Sequence, residues 1–435
     1  MQELKLKFNS ADTKFAGLEQ GKEYLLSSAE DKSAIENALG ISLPEVGATE
    51  AVLDFTSLLP QLMTNKGATV TSTIEVDVKA NNRWASEDAT VNRVYTLKCN
   101  KPEFSIVTNP GNFWCKEFSV DSCDIKTGDI ETISQKIQYQ YRKKGDEQWI
   151  DCDRLVQFDD YPVDKQYQIR AVYREGIETE PVDVVLETPQ QLPNSDMEEW
   201  YIEEKKKSGT WPSKDKTYYT FHPYAEGNAS SSWWATNNDK AQGGTYAFGI
   251  WYEGCFASCV SYTEDAHGGT KAALMYLSGC GDGYANTAGT YVGGAMVGSL
   301  FIGTYDSGII QGHDFGSRPT SMSFWYKYKP YNSDAFKVVV SLKNGDREIA
   351  TGTYEPAASS EENGEYGHAT VDFNYTEPFE KATSICVQFL ASNKTSLSQS
   401  DFDLGTTITY PVIGDWTVHM GSILKIDDIS LAFDK

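Results

Sequence analysis

Hydrophobic and charged residues alternate in three stretches of the first hundred positions, and this alternation predicts half-buried β-strands. Apolar side chains take every second position over residues 4–8, 73–78 and 91–97. A two-residue period places successive side chains on opposite faces of a strand. We therefore predict a sandwich of the immunoglobulin-like kind over residues 1–99.

One helix interrupts this strand pattern. Ser27 or Ser28 can serve as its N-cap, Ile35 and Leu39 share one face, and Gly40 supplies the residue that ends it. The pattern predicts a short helix inserted in the first sandwich.

A second alternating region covers residues 100–188. Strands are predicted over residues 104–107, 136–142 and 167–173, and the run YQIRAVYREGIETEP resembles part of a fibronectin type III module. The resemblance implies a second sandwich that serves as a spacer. Pro189 and Pro193 then mark a linker to the rest of the chain.

The third region, residues 194–435, differs in composition from the rest. It holds seven of the ten tryptophans and 26 of the 35 glycines. Its clearest strand, over residues 319–328, places Met322 and Phe324 on one face and Trp325 on the other. We predict a larger β-jelly roll here, with its first and last segments side by side, and an all-β fold for the whole chain.

Several motifs of this third region carry a resemblance to a known family. The runs NSDMEEW, GHDFGSRPTSMSFWYKYKPYNSD and GSILKIDDISLAF are similar to the carbohydrate-metabolism domain family, the C-terminal jelly roll of surface lipoproteins of Gram-negative gut anaerobes. The resemblance implies a fold related to carbohydrate-binding modules, a lipid anchor in the precursor, and a place at the cell surface, the outer membrane or the periplasm. Residues 1–8 lack the features of a leader, so we expect either a cytosolic protein or a precursor from which the leader has been removed.

Aromatic residues of the third region are the candidates for contact with a sugar. Flat rings suit the C–H faces of pyranoses, and short polar side chains suit their hydroxyls. Adjacent residues of a strand point in opposite directions, so one residue of the Trp pair is expected in the core. The ligand-binding candidates are Trp211, Trp233, Trp234, Trp251, Tyr252 and Trp325.

Two acidic residues at the ends of the third region suggest a metal site. If the terminal segments are neighbours, Glu198 and Asp427 lie close together, and two carboxylates suit a structural Ca²⁺ ion. The alternative is that both acids face solvent or cap turns.

Charge and motifs narrow the functional classes. The formal net charge is -24, which disfavours nucleic acid as a partner. The sequence has no transmembrane segment, and no catalytic pair stands out among its acids. We therefore expect a protein that binds polysaccharide or glycan, with a glycoside hydrolase and an adhesin or structural surface subunit as alternatives.

Overall fold

The chain was described from a computed structural model. The described residues are 1–10, 17–56, 70–81, 89–99, 102–128, 130–174, 177–208, 215–242, 246–247, 250–251, 256–279, 295–306, 308–356 and 364–435. They divide into two compact units. One comprises Met1–Asn109, Phe118–Val156 and Gln166–Val185, and the other Pro110–Glu117, Gln157–Lys165 and Leu186–Lys435. The division into three domains that the sequence predicts stays a prediction, next to the two units observed here.

The N-terminal part of the first unit is a four-stranded antiparallel sheet with one helix. Its elements are β1 (Glu3–Ser10), β2 (Glu23–Leu25), α1 (Ala29–Leu39), β3 (Val70–Ala80) and β4 (Ala89–Cys99), and the strand order is β2-β1-β3-β4. Leu4, Leu6 and Phe8 are buried and pack with Ile35 and Leu39 of the helix. The alternation over residues 4–8 therefore has the expected cause, since one sheet face is covered.

The predicted helix is confirmed, with its caps. Ser28 is the N-cap, because its hydroxyl accepts a hydrogen bond from the backbone N–H of Asp31. Gly40 ends the helix in the left-handed region at φ 65°, a conformation that costs glycine little. The immunoglobulin-like topology of this region stays a prediction.

The rest of the first unit is built around one long strand. Its elements are β5 (Phe104–Val107), β6 (Glu117–Ser119), β7 (Ser122–Ile125), α2 (Ile130–Lys136), β8 (Gln138–Lys143), β9 (Ile150–Cys152), β10 (Leu155–Gln157), β11 (Gln166–Arg174), β12 (Ile177–Glu178) and β13 (Val182–Val185). The first residue of β6, Glu117, and the last residue of β10, Gln157, are assigned to the second unit. Tyr167, Ile169 and Ala171 of β11 are buried, which agrees with the alternation seen in the sequence. Strand β11 pairs with β8, β12 and β13.

The second unit is a sandwich of two large antiparallel sheets. The first half of the unit contains β14 (Tyr201–Lys207), β15 (Lys216–His222), β16 (Trp234–Thr236), α3 (Asn238–Ala241), β17 (Tyr246–Ala247), β18 (Ile250–Trp251), β19 (Val260–Thr263), β20 (Ala272–Ser278), β21 (Met296–Val297), β22 (Ser299–Tyr305), β23 (Ile309–Gln311) and β24 (His313–Asp314). The second half contains β25 (Ser321–Lys329), β26 (Lys337–Asn344), β27 (Arg347–Tyr354), β28 (Gly367–Asp372), β29 (Asn374–Tyr375), β30 (Ser384–Leu390), β31 (Asp403–Tyr410) and β32 (Gly414–Ala432). One large sheet has the order β16-β22-β30-β26-β27-β29, with β23 paired to β22 and β24 paired to β30. The other has the order β19-β20-β32-β25-β28, with β21 paired to β20 and β31 paired to β32.

The core of the second unit lies between these two sheets. Met322 and Phe324 of β25 are fully buried and belong to one cluster with Val338 and Val340 of β26. Phe324 also contacts Phe389 of the opposite sheet, edge to face at 5.3 Å between ring centroids. The all-β class predicted from the sequence is confirmed, and no helix of the described residues is long and apolar enough to cross a membrane.

The first and last segments of the second unit are neighbours, as predicted. The backbone N–H of Ile429 in β32 donates to the carbonyl of Ser195 at 2.8 Å. The side-chain amide of Gln191 bonds both backbone groups of Leu431. The NSDMEEW segment therefore runs beside the final strand, and this neighbourhood builds the sites described next.

Candidate functional site

The predicted aromatic candidates fall in different environments. Trp211 and Tyr252 lie outside the described residues, and Trp251 is placed in β18 by its backbone alone. Trp233, Trp234 and Trp325 are described in full, so the geometry of the predicted sugar site rests on these three.

Trp234 is a core residue, and little of its surface is open to a ligand. It is 2% exposed, and its indole N–H donates to the carbonyl of Pro193 at 2.8 Å. It opens strand β16, where the pattern of burial puts Trp234 and Thr236 inside. The expectation that one member of the Trp pair lies in the core is met by this residue.

Trp233, the other member of the pair, is half-buried at the edge of the core. Its indole stacks on the imidazole of His313 with ring centroids 4.0 Å apart, and Phe315 meets it edge to face at 6.3 Å. These contacts fix the ring in place without sealing it from solvent.

A cavity of about 220 Å³ lies beside this indole. We call it the Trp233 pocket. Its described lining residues are Pro193, Asn194, Glu199, Pro223, Tyr224, Asn228, Ser231, Ser232, Trp233 and Trp234. Apolar rings and prolines thus alternate with short polar side chains, which is a mixture typical of ligand sites.

Some polar groups of the pocket are engaged in holding its walls. Asn194 sits in the left-handed region at φ 47°, where asparagine is tolerated, and its side-chain amide bonds both backbone groups of Glu199 and the carbonyl of Pro223. The hydroxyls of Ser231 and Ser232 donate to carbonyls of Asn228 and Trp234. These bonds tie the NSDMEEW segment to the residue 223–234 segment.

Other polar groups of the pocket have no hydrogen-bond partner among the described residues. They are the carboxylate of Glu199, the side-chain amide of Asn228 and the hydroxyl of Tyr224. Glu199 and Asn228 are exposed and Tyr224 is half-buried. The pocket therefore offers a charged acceptor, an amide and a phenol to a ligand.

Tyr224 is held by a stack of three rings. His222 lies between Tyr201 and Tyr224, with centroid distances of 5.9 and 5.2 Å, and its Nε2 lies 2.9 Å from a carboxylate oxygen of Glu203. Burial raises the pKa of Tyr224, and the charges of Glu203 and Asp239 raise it further. The phenol consequently stays protonated and able to donate a hydrogen bond.

Trp325 occupies a different setting on the sheet of β25 and β32. Its indole stacks on His267 with centroids 3.8 Å apart, and His368 lies at 4.9 Å. The imidazole Nδ1 of His267 lies 2.6 Å from Oδ2 of Asp428. A histidine therefore covers one face of this candidate ring.

The charged residues near Trp325 are paired with one another. Asp265 accepts hydrogen bonds from Lys327 and Lys425 at 2.7 and 2.6 Å, and its backbone carbonyl accepts from the hydroxyl of Tyr366. Burial alone would raise the pKa of Asp265, but the two lysine bonds outweigh it and lower the pKa below its ordinary value. The residues grouped around Trp325 are thus Asp265, His267, Lys327, Tyr366, His368, Lys425 and Asp428.

Glu198 and Asp427, the predicted calcium ligands, bind the same loop. Glu198 accepts from the backbone N–H groups of Thr270 and Lys271 and from the Thr270 hydroxyl, at 2.6 to 2.8 Å. Asp427 is fully buried and accepts from the N–H groups of His267, Gly268 and Asp428. Both carboxylates are therefore occupied by donors of the loop over residues 267–271.

The pKa values of these two acids move in opposite directions. Burial raises the pKa of Asp427 despite its three N–H donors. In Glu198 the bonds from Thr270 and Lys271 outweigh burial and lower the pKa. Among the residues that the structure describes, no group of three or more His, Cys, Asp or Glu could hold a metal ion.

Several lining residues of the Trp233 pocket were not among the candidates predicted from the sequence. Glu199 lies within the NSDMEEW motif, and Tyr224 and Asn228 lie in the HPYAEGN run before the Trp pair. Their only signal was nearness to Trp233 in a polar, turn-rich stretch. They meet at the pocket because the fold brings their segments together, which spacing in the sequence does not reveal.

No family model and no curated protein matches the chain. Among solved structures, it is similar to a carbohydrate-binding module of the β-sandwich superfamily at 8% identity, covering 76% of this chain and 98% of that one, with a TM-score of 0.22. A module in complex with β-1,4-galactotriose matches at 12% identity, with 48% and 94% covered and a TM-score of 0.22. A family 43 arabinoxylan arabinofuranohydrolase from Bacillus subtilis, in complex with cellotetraose, matches at 8% identity, with 83% and 64% covered and a TM-score of 0.23. TM-scores this low assign no function to the chain.

Proposed function

We propose that the second unit of this protein binds a saccharide in the Trp233 pocket. The observation that carries the proposal is a half-buried indole beside three polar groups without partners in the described structure, those of Glu199, Asn228 and Tyr224. Sugars present both C–H faces and hydroxyls, and this pocket offers a ring for the former and donors and acceptors for the latter.

Preformed geometry supports the proposal. His313 backs the Trp233 ring and His222 backs the Tyr224 ring, so both aromatic groups are already oriented. Asn194 fixes the backbone that carries Glu199. A ligand that meets fixed groups loses less of its binding free energy to ordering the protein.

Binding is favoured over hydrolysis at this pocket. A glycoside hydrolase uses two carboxyl groups, about 5 to 9.5 Å apart, on either side of the scissile bond. Among the described lining residues, Glu199 supplies the one carboxylate. A hydrolase on this fold and an adhesin role remain the alternatives, distinguished by release of reducing ends and by capture of a protein partner.

The setting of the protein in the cell is a further part of the proposal. A lipid anchor, location at the cell surface, outer membrane or periplasm, and the spacer role of the N-terminal modules stay predictions from the family resemblance. Calcium binding by Glu198 and Asp427 stays a prediction from the sequence, beside the alternative that the two acids only anchor the loop over residues 267–271.

Glycan-array screening followed by calorimetry tests the proposed function. We expect the whole chain to bind at least one saccharide, and Trp233→Ala to weaken binding about tenfold through loss of ring contact. Trp325→Ala is the matched control, because it also removes an indole stacked on a histidine, and it should leave the affinity unchanged. Absence of binding across a broad panel, or equal loss in both variants, would contradict the proposal.

A further inference from the structure

We infer that the Trp233 pocket takes a single uncharged sugar ring at the end of a glycan chain, with Glu199 as its specificity-determining residue. This inference rests on the proposed function and adds the class of ligand. It is carried by the volume of the pocket, the charge of its lining and the hydrogen-bonding capacity of Glu199.

The volume of the pocket limits how much of a glycan can enter. Sites that enclose drug-sized ligands measure roughly 300 to 1,000 Å³. The Trp233 pocket measures about 220 Å³ and is walled by Pro193, Pro223 and the Trp233 indole. It suits one sugar ring, so the remainder of a longer glycan has to leave the pocket through its opening, as a chain end allows.

The charge of the lining disfavours acidic sugars. Glu199 is the one carboxylate among the described lining residues, and none of those residues is lysine or arginine. A uronate or a sulfated sugar would bring its negative charge to an unpaired carboxylate, within a protein of formal net charge -24. Like charges at close range oppose binding.

Glu199 is suited to read neutral hydroxyls. A carboxylate can accept two hydrogen bonds, and those to a charged acceptor are stronger than neutral ones. Its backbone is fixed by the amide of Asn194, through bonds of 2.9 and 3.1 Å. The hydroxyl of Tyr224 and the amide of Asn228 are the remaining partners for the other hydroxyls of the ring.

Pairs of methyl glycosides test this inference directly. Saturation-transfer NMR and calorimetry would compare methyl glucoside, galactoside and mannoside with the corresponding uronides, at low and high salt, against the whole chain. We expect at least one neutral glycoside to bind at least tenfold more tightly than its uronide, with the difference smaller at high salt.

Two substitutions test the role of Glu199. In Glu199→Gln the affinity for the neutral glycoside should fall by roughly tenfold, as expected for loss of a charged acceptor, and the discrimination against the uronide should narrow. Glu348→Gln, on the exposed surface of the same unit, is the matched control and should change neither value. Equal melting temperatures for the three proteins would show that folding is preserved.

The outcomes separate this inference from the proposed function. If uronides bind as tightly as neutral glycosides, or if longer glycans bind while every single sugar fails, the inference is overturned. The proposed function then still stands, provided that Trp233→Ala weakens binding. If no saccharide binds at all, both are overturned.

Discussion

Two tryptophans of the second unit stack on the same kind of side chain but have different surroundings. Trp233 and Trp325 each stack on a histidine, with centroids 4.0 and 3.8 Å apart. Around Trp325 the charged groups are bonded to one another or to backbone. Around Trp233 a carboxylate, an amide and a phenol have no partner in the described structure. The two regions therefore differ in unused hydrogen-bonding capacity and not in aromatic content, and this difference is the reason why the Trp233 pocket is proposed as the ligand site.

Near Trp325, the carboxylates that already accept hydrogen bonds should matter chiefly for the stability of the fold. In Asp427→Ala, three backbone N–H groups lose their acceptor inside a fully buried position, and we expect the free energy of unfolding to fall by about 2 to 4 kcal/mol. Urea unfolding would measure this change, with the exposed Asp372→Ala of β28 as control. A loss no larger than the control's would show that the loop does not depend on this carboxylate.

A pair of tyrosines sharpens the contrast between the two regions. Tyr224→Phe removes an unused pocket hydroxyl, so saccharide affinity should fall about fivefold while stability is kept. Tyr366→Phe removes a hydroxyl that donates to the Asp265 carbonyl, so stability should fall by about 1 kcal/mol while affinity is kept. Calorimetric titration and urea unfolding of both variants measure the two effects. A loss of affinity in Tyr366→Phe would undo the distinction.

The pH dependence of stability should report on Glu198. Its pKa in the folded state is lowered from the ordinary value of 4.5, so its carboxylate stabilises the fold above that value. This contribution is lost as the pH falls below 4.5 and through the lowered pKa. Glu198→Gln should therefore be less stable than the natural chain at pH 7, and the difference should shrink in acid. Unfolding free energies measured between pH 7 and pH 3 would check it, and a difference that grows in acid would contradict it.

Chelation should have the smallest effect. The oxygens of Glu198 and Asp427 already accept backbone and hydroxyl hydrogen bonds, and this favours an anchor for the loop over a cation site. We expect EDTA to leave the melting temperature unchanged. A fall with EDTA that Asp427→Ala abolishes would instead establish the calcium site predicted from the sequence.

Local signals were enough to predict much of the architecture. The alternation over residues 4–8 and 167–173 agrees with strands of which one face is buried, and Ser28 and Gly40 bound the helix between them. Periodicity and capping can be predicted from the sequence because they depend on neighbours a few positions apart. The pairing of terminal segments was instead expected from the jelly-roll fold, and it is observed between Ser195 and Ile429.

The site itself could be predicted only in part. Trp233 and Trp234 were both candidates in the sequence. Only the structure shows that Trp234, the first residue of β16, is buried, whereas Trp233 before it is half-buried. Glu198 and Glu199 are adjacent and chemically identical in the sequence. One is bound by the backbone of residues 270 and 271, and the other lines the pocket.

The sequence by itself determined the all-β class, the helix caps and the aromatic, glycine-rich character of the second unit. The first two follow from the spacing of residue types along the chain, and the third follows from composition. The tertiary structure decided which polar groups have hydrogen-bond partners and which have none among the described residues. The physical reason is that a hydrogen-bond partner is supplied by chain segments far apart in sequence, as Glu198 and Asp427 show at a single loop.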